Sequence, residues 1–306
     1  MELKAYEAAD LEAFVWVCNH ADPARPTNEA QILHSDATLE PDAIRVRFLV
    51  FEAGELIGAI NLEPPRSNPL PNELRLQLLL LYGFADRGTE LCEAAERIAT
   101  EIGARYVQVS AQQGEWPLEM YEERGFTEID RMFDSNLNVT TFNPERFATR
   151  EPALLRVETL EGRLDDEPLL EHYYVATLAM MRDVPAAVPF IPWAYPLWRS
   201  RLLDDPHFLP DAHFIGFVGD EIAGVSQLYG SARAGTLQIG LTAVTRPYRR
   251  RGIAFGLKLQ AIRYAKAQGF TVIRANNHVV NQPMLHINTT LGFVPEPARI
   301  ILRKAL

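Results

Sequence analysis

Cysteine is almost missing from this 306-residue chain, which holds only Cys18 and Cys92. Two thiols exclude a disulfide framework and a cysteine zinc site. Each falls in a helical pattern (AFVWVCNH and ELCEAAERIA), where a small buried thiol is expected. No metal site is expected. Basic residues are scarce as well, with 30 Lys+Arg against 40 Asp+Glu and a formal net charge of −10. That balance argues against nucleic acid as a general partner, because such proteins present a broad basic footprint. Long apolar runs are also lacking. Leu78–Leu81 falls far short of the roughly 20 residues that cross a bilayer, and the opening Met-Glu-Leu-Lys has no secretory character. The expectation is a cytoplasmic protein with no membrane partner.

What is present suits a folded protein, with 47% hydrophobic and 23% charged residues. The length fits two domains of about 150 residues each. The two halves echo each other. Phe51-Glu-Ala-Gly-Glu-Leu-Ile-Gly58 and Phe217-Val-Gly-Asp-Glu-Ile-Ala-Gly224 both read as strand, tight turn, strand, 166 positions apart. Helical patterns around Leu91 and Leu257 keep that spacing, and Glu123-Arg-Gly-Phe126 matches Thr290-Leu-Gly-Phe293 one residue further along. A polar, aperiodic stretch with two prolines, Asn143 to Pro152, marks the boundary. Domains at 1–145 and 153–306 are therefore expected. Each alternates strands and helices into a mixed α/β sheet with helices on both faces.

The most informative segment runs from Leu241 to Leu257. A β-prone run ends at Val244, a turn carries Pro247, and the basic stretch Arg249-Arg-Arg-Gly-Ile-Ala254 leads into a helical pattern. Strand, glycine-bearing loop and helix start together offer free backbone N–H groups and a helix dipole to a diphosphate. Gly252 lets the backbone approach phosphate closely, Ala254 keeps the helix start uncluttered, and Arg249, Arg250 and Arg251 add charge.

Arg249, Gly252 and Ala254, preceded by Val244, Pro247 and Tyr248, resemble the acyl-CoA signature of the GNAT superfamily of N-acetyltransferases. Asn281-Gln-Pro-Met-Leu-His-Ile-Asn-Thr-Thr-Leu-Gly-Phe293 is similar to the family's Asn-to-Gly-Phe segment, in wording close to the tandem, mycothiol synthase-like branch. The resemblance implies two tandem GNAT-like acyl-CoA N-acyltransferase domains. It implies acetyl-CoA as cosubstrate, held by Thr242, Ala243, Val244, Arg249 to Phe255 (Ile253 included), Asn281 and Asn288. The backbone N–H of Val244 would polarise the acetyl carbonyl. In the first half, Gly83, Asp86 and Gly88 stand where Arg249, Gly252 and Ala254 stand. A carboxylate inside the cradle repels a diphosphate, so the first domain is expected to be a degenerate copy, although Tyr121 keeps a family feature.

Two departures bear on the chemistry. The strand Thr236–Val244 carries no carboxylate, so His278, Glu221 or water held by Gln238 is left to take the amine proton. Asn288 occupies the position where the family places a tyrosine that protonates the thiolate. An amide hydrogen-bonds sulfur but is no useful acid, which leaves Tyr248, His286 or water. The proline- and aromatic-rich segment Asp183–Trp198 either lines the acceptor pocket through Trp193, Tyr195 and Trp198, with Asp183 supplying charge, or seals the two domains together. The expected function is acetyl transfer to the primary amine of a small molecule, in a ternary complex. The other class is a non-catalytic acyl-CoA-binding or regulatory protein. A monomer or homodimer is expected.

Overall fold

The computed structural model describes residues 1–40, 42–65, 71–150, 152, 155–185 and 190–306. Of the expected linker, residues 151, 153 and 154 lie outside the described residues, as do 186–189 of the aromatic segment. In chain order the elements are β1 (Glu2–Ala5), α1 (Leu11–Ala21), α2 (Glu29–Ala37), β2 (Val46–Glu52), β3 (Glu55–Glu63), β4 (Glu73–Leu80), α3 (Gly88–Glu101), β5 (Tyr106–Gln112), α4 (Trp116–Glu123) and β6 (Thr127–Asn138). They continue with β7 (Arg156–Thr159), α5 (Glu167–Met181), α6 (Tyr195–Leu203), β8 (Phe208–Val218), β9 (Glu221–Tyr229), β10 (Thr236–Val244), α7 (Ile253–Ala267), β11 (Val272–His278), α8 (Gln282–Leu291), β12 (Val294–Pro295) and β13 (Arg299–Ala305). No described helix is long and apolar enough to cross a membrane.

The chain forms two compact units. Unit 1 is Met1–Met132, Ala187–Ile191 and Pro297–Leu306, and unit 2 is Phe133–Ala186 and Pro192–Glu296. These differ from the linear halves 1–145 and 153–306 in where the last strands go. In unit 1, β13 pairs along its whole length with β5, from Arg299↔Gln112 to Ala305↔Tyr106. Ile300 and Leu302 alternate into the unit's core. Unit 2 begins inside β6, whose second half pairs with β12 through Asn136↔Val294. The residues Asn143 to Arg150 belong to unit 2, where Pro144–Arg150 is a 3-10 segment. A linear repeat locates copies of a motif but not the unit that a terminal strand completes.

Within each unit the strands are covered on both faces. In unit 1, α3 and α4 cover a core that includes Leu91, Cys92, Val107 and Tyr121, and Phe14, Val17 and Ile32 of α1 and α2 pack elsewhere with Leu49 and Ala59. Unit 2 repeats the plan, with α7 and α8 over Ala223, Leu237 and Ile273, and α5 and α6 over Ile215, Val225 and Leu241. Cys92 is fully buried and burial pushes its thiol up to about 12, while Cys18 lies half-buried in α1. Tyr121 sits in the unit 1 core beside Phe126, ring centres 5.3 Å apart.

The β13 assignment can be tested directly. Leu302 is 0% exposed inside unit 1. Leu302→Ala should destabilise unit 1 by about 2–5 kcal/mol. Hydrogen exchange should show faster opening of β4 and β5 with α7 protection unchanged.

Candidate functional site

Within unit 2 the site is set by β10. It runs parallel to β11 from Thr236↔Val272 to Ile239↔Ala275, where the pairing ends. On its other edge, the ladder with β9 shifts register between Ile239 and Thr242. This bulge switches the faces of the strand. Leu237 and Ile239 pack under α7, whereas Leu241 and Ala243, of the same parity, pack under α5 and α6. Past the bulge, Thr245 donates to Ala223 O on β9. Strand alternation then turns the N–H groups of Thr242 and Val244 away from β9, into the gap where β11 has parted from β10. Thr242 is tied to Ser226, Oγ to Oγ, at 3.0 Å.

The loop after β10 is built for an anion. Arg250 and Gly252 both have positive φ, 61° and 79°. Glycine at 252 is required by that left-handed turn. The first helical bond of α7 runs from Gly256 N–H to Gly252 O, and no side chain caps the helix. The N–H groups of Ile253, Ala254 and Phe255 thus precede the helical ladder and lack acceptors within it. Arg249, Arg250, Arg251 and Gly252 are exposed around them, and Arg150 lies 5.2 Å above the Phe255 ring. These residues fit a diphosphate group.

Arg249 is already engaged. Its Nε donates to Val244 O at 3.0 Å, and it pairs with Asp183, which also takes Arg246 Nε at 2.9 Å. The two guanidinium groups, Arg246 first, hold the Asp183 carboxyl far below the ordinary carboxylate range. Asp183, expected to serve the acceptor, instead anchors the loop after β10. Arg251 stacks 5.3 Å from the Tyr248 ring.

The structure brings Asn288 to this site and gives it buried partners. Its Nδ2 donates to Asn277 Oδ1 at 2.5 Å, Asn277 Nδ2 donates to Ser135 Oγ at 2.9 Å, and Asn288 Oδ1 is buried with no hydrogen-bond partner. Asn281 caps α8, its Oδ1 accepting from Met284 N–H at 3.4 Å. His278 Nδ1 accepts from Val280 N–H at 3.2 Å, so that this lone pair is engaged. Glu221 opens β9 at the hairpin, exposed, and His286 is exposed on α8. Gln238 Nε2 donates to Ile239 O at 3.3 Å.

The aromatic residues pack within unit 2. Trp198 is buried against α5, and Tyr195 stacks on it with ring centres 5.7 Å apart while its OH donates to Glu167 at 2.7 Å. Trp193 carries the chain's own Arg201 over its ring at 4.1 Å.

Under the bulge lies a polar network that no motif announces. Gln227 Nε2 donates to Tyr173 OH at 2.6 Å, and that hydroxyl lies 3.3 Å from His213 Nδ1. His213 Nε2 is buried with no hydrogen-bond partner. The ring of Tyr229 packs against Gly240 at the bulge. His213 and Gln227 face each other across the β8–β9 ladder. A polar pair at facing ladder positions is the only signal that sequence offers.

Unit 1 differs at each of these points. Its ladder between β3 and β4 runs regularly from Gly58↔Leu80 to Glu63↔Arg75. Asp86 sits in a short 3-10 turn before α3 and pairs with Arg87 at 3.0 Å. The Trp116 indole lies so close to Gly88 that an added Cβ would fall 2.4 Å from it. The helix start that would receive a diphosphate is faced by a carboxylate and an indole. Among the described residues, no group of three or more His, Cys, Asp or Glu is placed to hold a metal.

Residues 178–293 match the model of the acetyltransferase (GNAT) family, so that part of the chain is a GNAT domain. A tandem GNAT protein from the clavulanic acid biosynthesis pathway superposes with a TM-score of 0.76 at 17% identity, over 99% of this chain and 98% of that one. A GCN5-related N-acetyltransferase from Sphaerobacter thermophilus gives 0.69 at 17% identity, over 99% and 95% of the two chains. A GNAT acetyltransferase from Colwellia psychrerythraea gives 0.64 at 14% identity over the full length of both. No curated protein matches the sequence. The fold is thus a pair of tandem GNAT-like domains.

Burial alone holds His213 neutral, with its pKa lowered to about 3. The unfolded chain takes up this proton below about pH 6.5 and the folded chain does not until about pH 3. His213 therefore contributes stability above pH 6.5 that is lost as the pH falls, at about 1.4 kcal/mol per unit. Urea titrations from pH 6.5 to 4.5 should show this slope, and His213→Gln should flatten it.

Proposed function

We propose that the chain is an acetyl-CoA-dependent N-acetyltransferase acting on the primary amine of a small molecule, with its single coenzyme site in unit 2. The observation that carries this reading is the meeting of two features at the end of β10. The strand parts from β11 after Ile239, and the exposed, uncapped start of α7 lies directly beyond it. The diphosphate is assigned to the N–H groups of Ile253 to Phe255, with Arg250 and Arg251 beside it. The thioester arm is assigned to the gap along Thr242, Ala243 and Val244, where the Val244 N–H is aimed to polarise the acetyl carbonyl. Bound there, acetyl-CoA supplies the activated acetyl group.

The chain's own residues then hold the two reactants and exclude water. An alkyl amine must lose a proton before attack, a cost of about 4–5 kcal/mol at pH 7 for a pKa near 10.4. No carboxylate stands on β10, and the lone pair of His278 Nδ1 is taken. Desolvation of the ammonium beside a strand that carries no carboxylate lowers that pKa and serves the same end. The buried network below Gly240 is uncharged, in keeping with an acceptor bound as the free amine. Unit 1, with Asp86 and Trp116 at its loop, is assigned a supporting role.

Two arms of one experiment test this. Calorimetry should show one acetyl-CoA per chain, weakened at least about tenfold by Gly252→Val, which removes the left-handed turn. Thiol release should depend on an added small amine from a panel of primary amines. Tight binding without turnover on any amine would favour the acyl-CoA-binding, non-catalytic reading over this one.

A further inference from the structure

Lys258 is the most improbable residue in unit 2. It lies in the second turn of α7 with 2% of its surface exposed. Among the described residues it makes no hydrogen bond or ion pair, and its one polar contact is Nζ over the Phe293 ring at 5.0 Å. Lysine is almost never buried without a partner, because desolvating an ammonium is costly. Burial lowers the Lys258 pKa to about 7. A fold that keeps such a group forgoes stability, which points to use.

Its location says which use. Leu257, one residue earlier, faces the sheet over Gly216 and Gly224 of β8 and β9. One step along the helix turns Lys258 by about 100°, away from β8 and β9 and toward Phe293, which follows α8. Phe293 N–H bonds to Asn288 O, so Lys258 and Asn288 flank the same turn. Asn288 in turn holds Asn277, two residues beyond the last β10–β11 pair. Lys258 is therefore joined, through Phe293 and Asn288, to the end of β11 where the strands have parted, about 8 Å along α7 from the phosphate cradle. The two buried polar groups there complement each other, since Asn288 Oδ1 lacks a donor and Lys258 lacks an acceptor.

We propose that Lys258 is the acid that serves the coenzyme sulfur in this chain, in the place of the tyrosine that position 288 lacks. This rests on the transferase reading above. Lys258 gives a proton from Nζ to the sulfur, which leaves with the electron pair of the breaking C–S bond. The amine nitrogen that forms the new C–N bond releases its proton to water, and Lys258 is reprotonated from water. Asn288 keeps its amide on Asn277 and orients the arm through Oδ1.

The test uses free CoA bound to the full chain, so that it does not depend on turnover. A thiol beside an ammonium ionises at lower pH. Ultraviolet titration of the bound thiolate should give a thiol pKa about one unit lower in the unaltered protein than in Lys258→Met, that is, about tenfold more thiolate at a given pH. Methionine occupies similar volume without charge, so circular dichroism and CoA affinity should show an intact site. In turnover, Lys258→Met should lose at least about tenfold in kcat with KM for acetyl-CoA little changed, and adding Asn288→Tyr should restore part of it. Equal thiol pKa values in the two proteins would overturn the proposal, as would undiminished kcat in Lys258→Met. A thiol pKa difference in a protein that acetylates no amine would count against the transferase reading and leave the lysine–sulfur contact standing.

Discussion

The parting of β10 from β11 is the constraint on which the rest of unit 2 depends. Two parallel strands that hold together for four residue pairs and then diverge leave backbone N–H groups facing a gap. Such groups are costly when buried without partners. The bulge at Gly240 and Leu241 makes the divergence possible, because it lets β10 stay on β9 while turning its faces over. Thr242 and Val244 then face outward from the ladder, and the loop delivers α7 with its own unpaired N–H groups at the same end. Asp183 fixes the corner by taking both Arg246 and Arg249, and Arg249 closes it on Val244 O.

Much of this was legible in the sequence because it is local. The positive φ at Gly252 follows from glycine between a basic turn and a helical pattern, and the altered loop at Gly83 to Gly88 was visible by its Asp86. The duplication was legible for the same reason, since strand–turn–strand segments 166 residues apart preserve their spacing. The aromatic segment was legible as a cluster but not in its partners. Arg201 over Trp193 and Glu167 against Tyr195 are contacts between helices that no spacing encodes.

What stayed hidden is long-range. The pairing of β13 with β5 joins residues almost 200 positions apart, and neither strand carries a mark of the other. Asp183 reads as an acceptor-side acid because it precedes the aromatics, yet its partners lie more than 60 residues downstream. His213 and Gln227 are 14 residues apart across a hairpin and meet Tyr173 only through packing. Lys258 is the instructive case. It stands between Leu257 and Leu259 in an otherwise apolar helix stripe, a local inconsistency of the kind that marks functional positions, and only its burial shows that the inconsistency was retained.

The proposed coenzyme site is a single one, made by backbone, in unit 2. Backbone amide resonances followed by NMR as CoA is added test it most directly. The amides of Val244 and Ile253 to Phe255 should shift strongly, while those of Gly83 to Gly88 stay in place. Shifts centred on Gly83 to Gly88, or none at Ile253 to Phe255, would contradict the account.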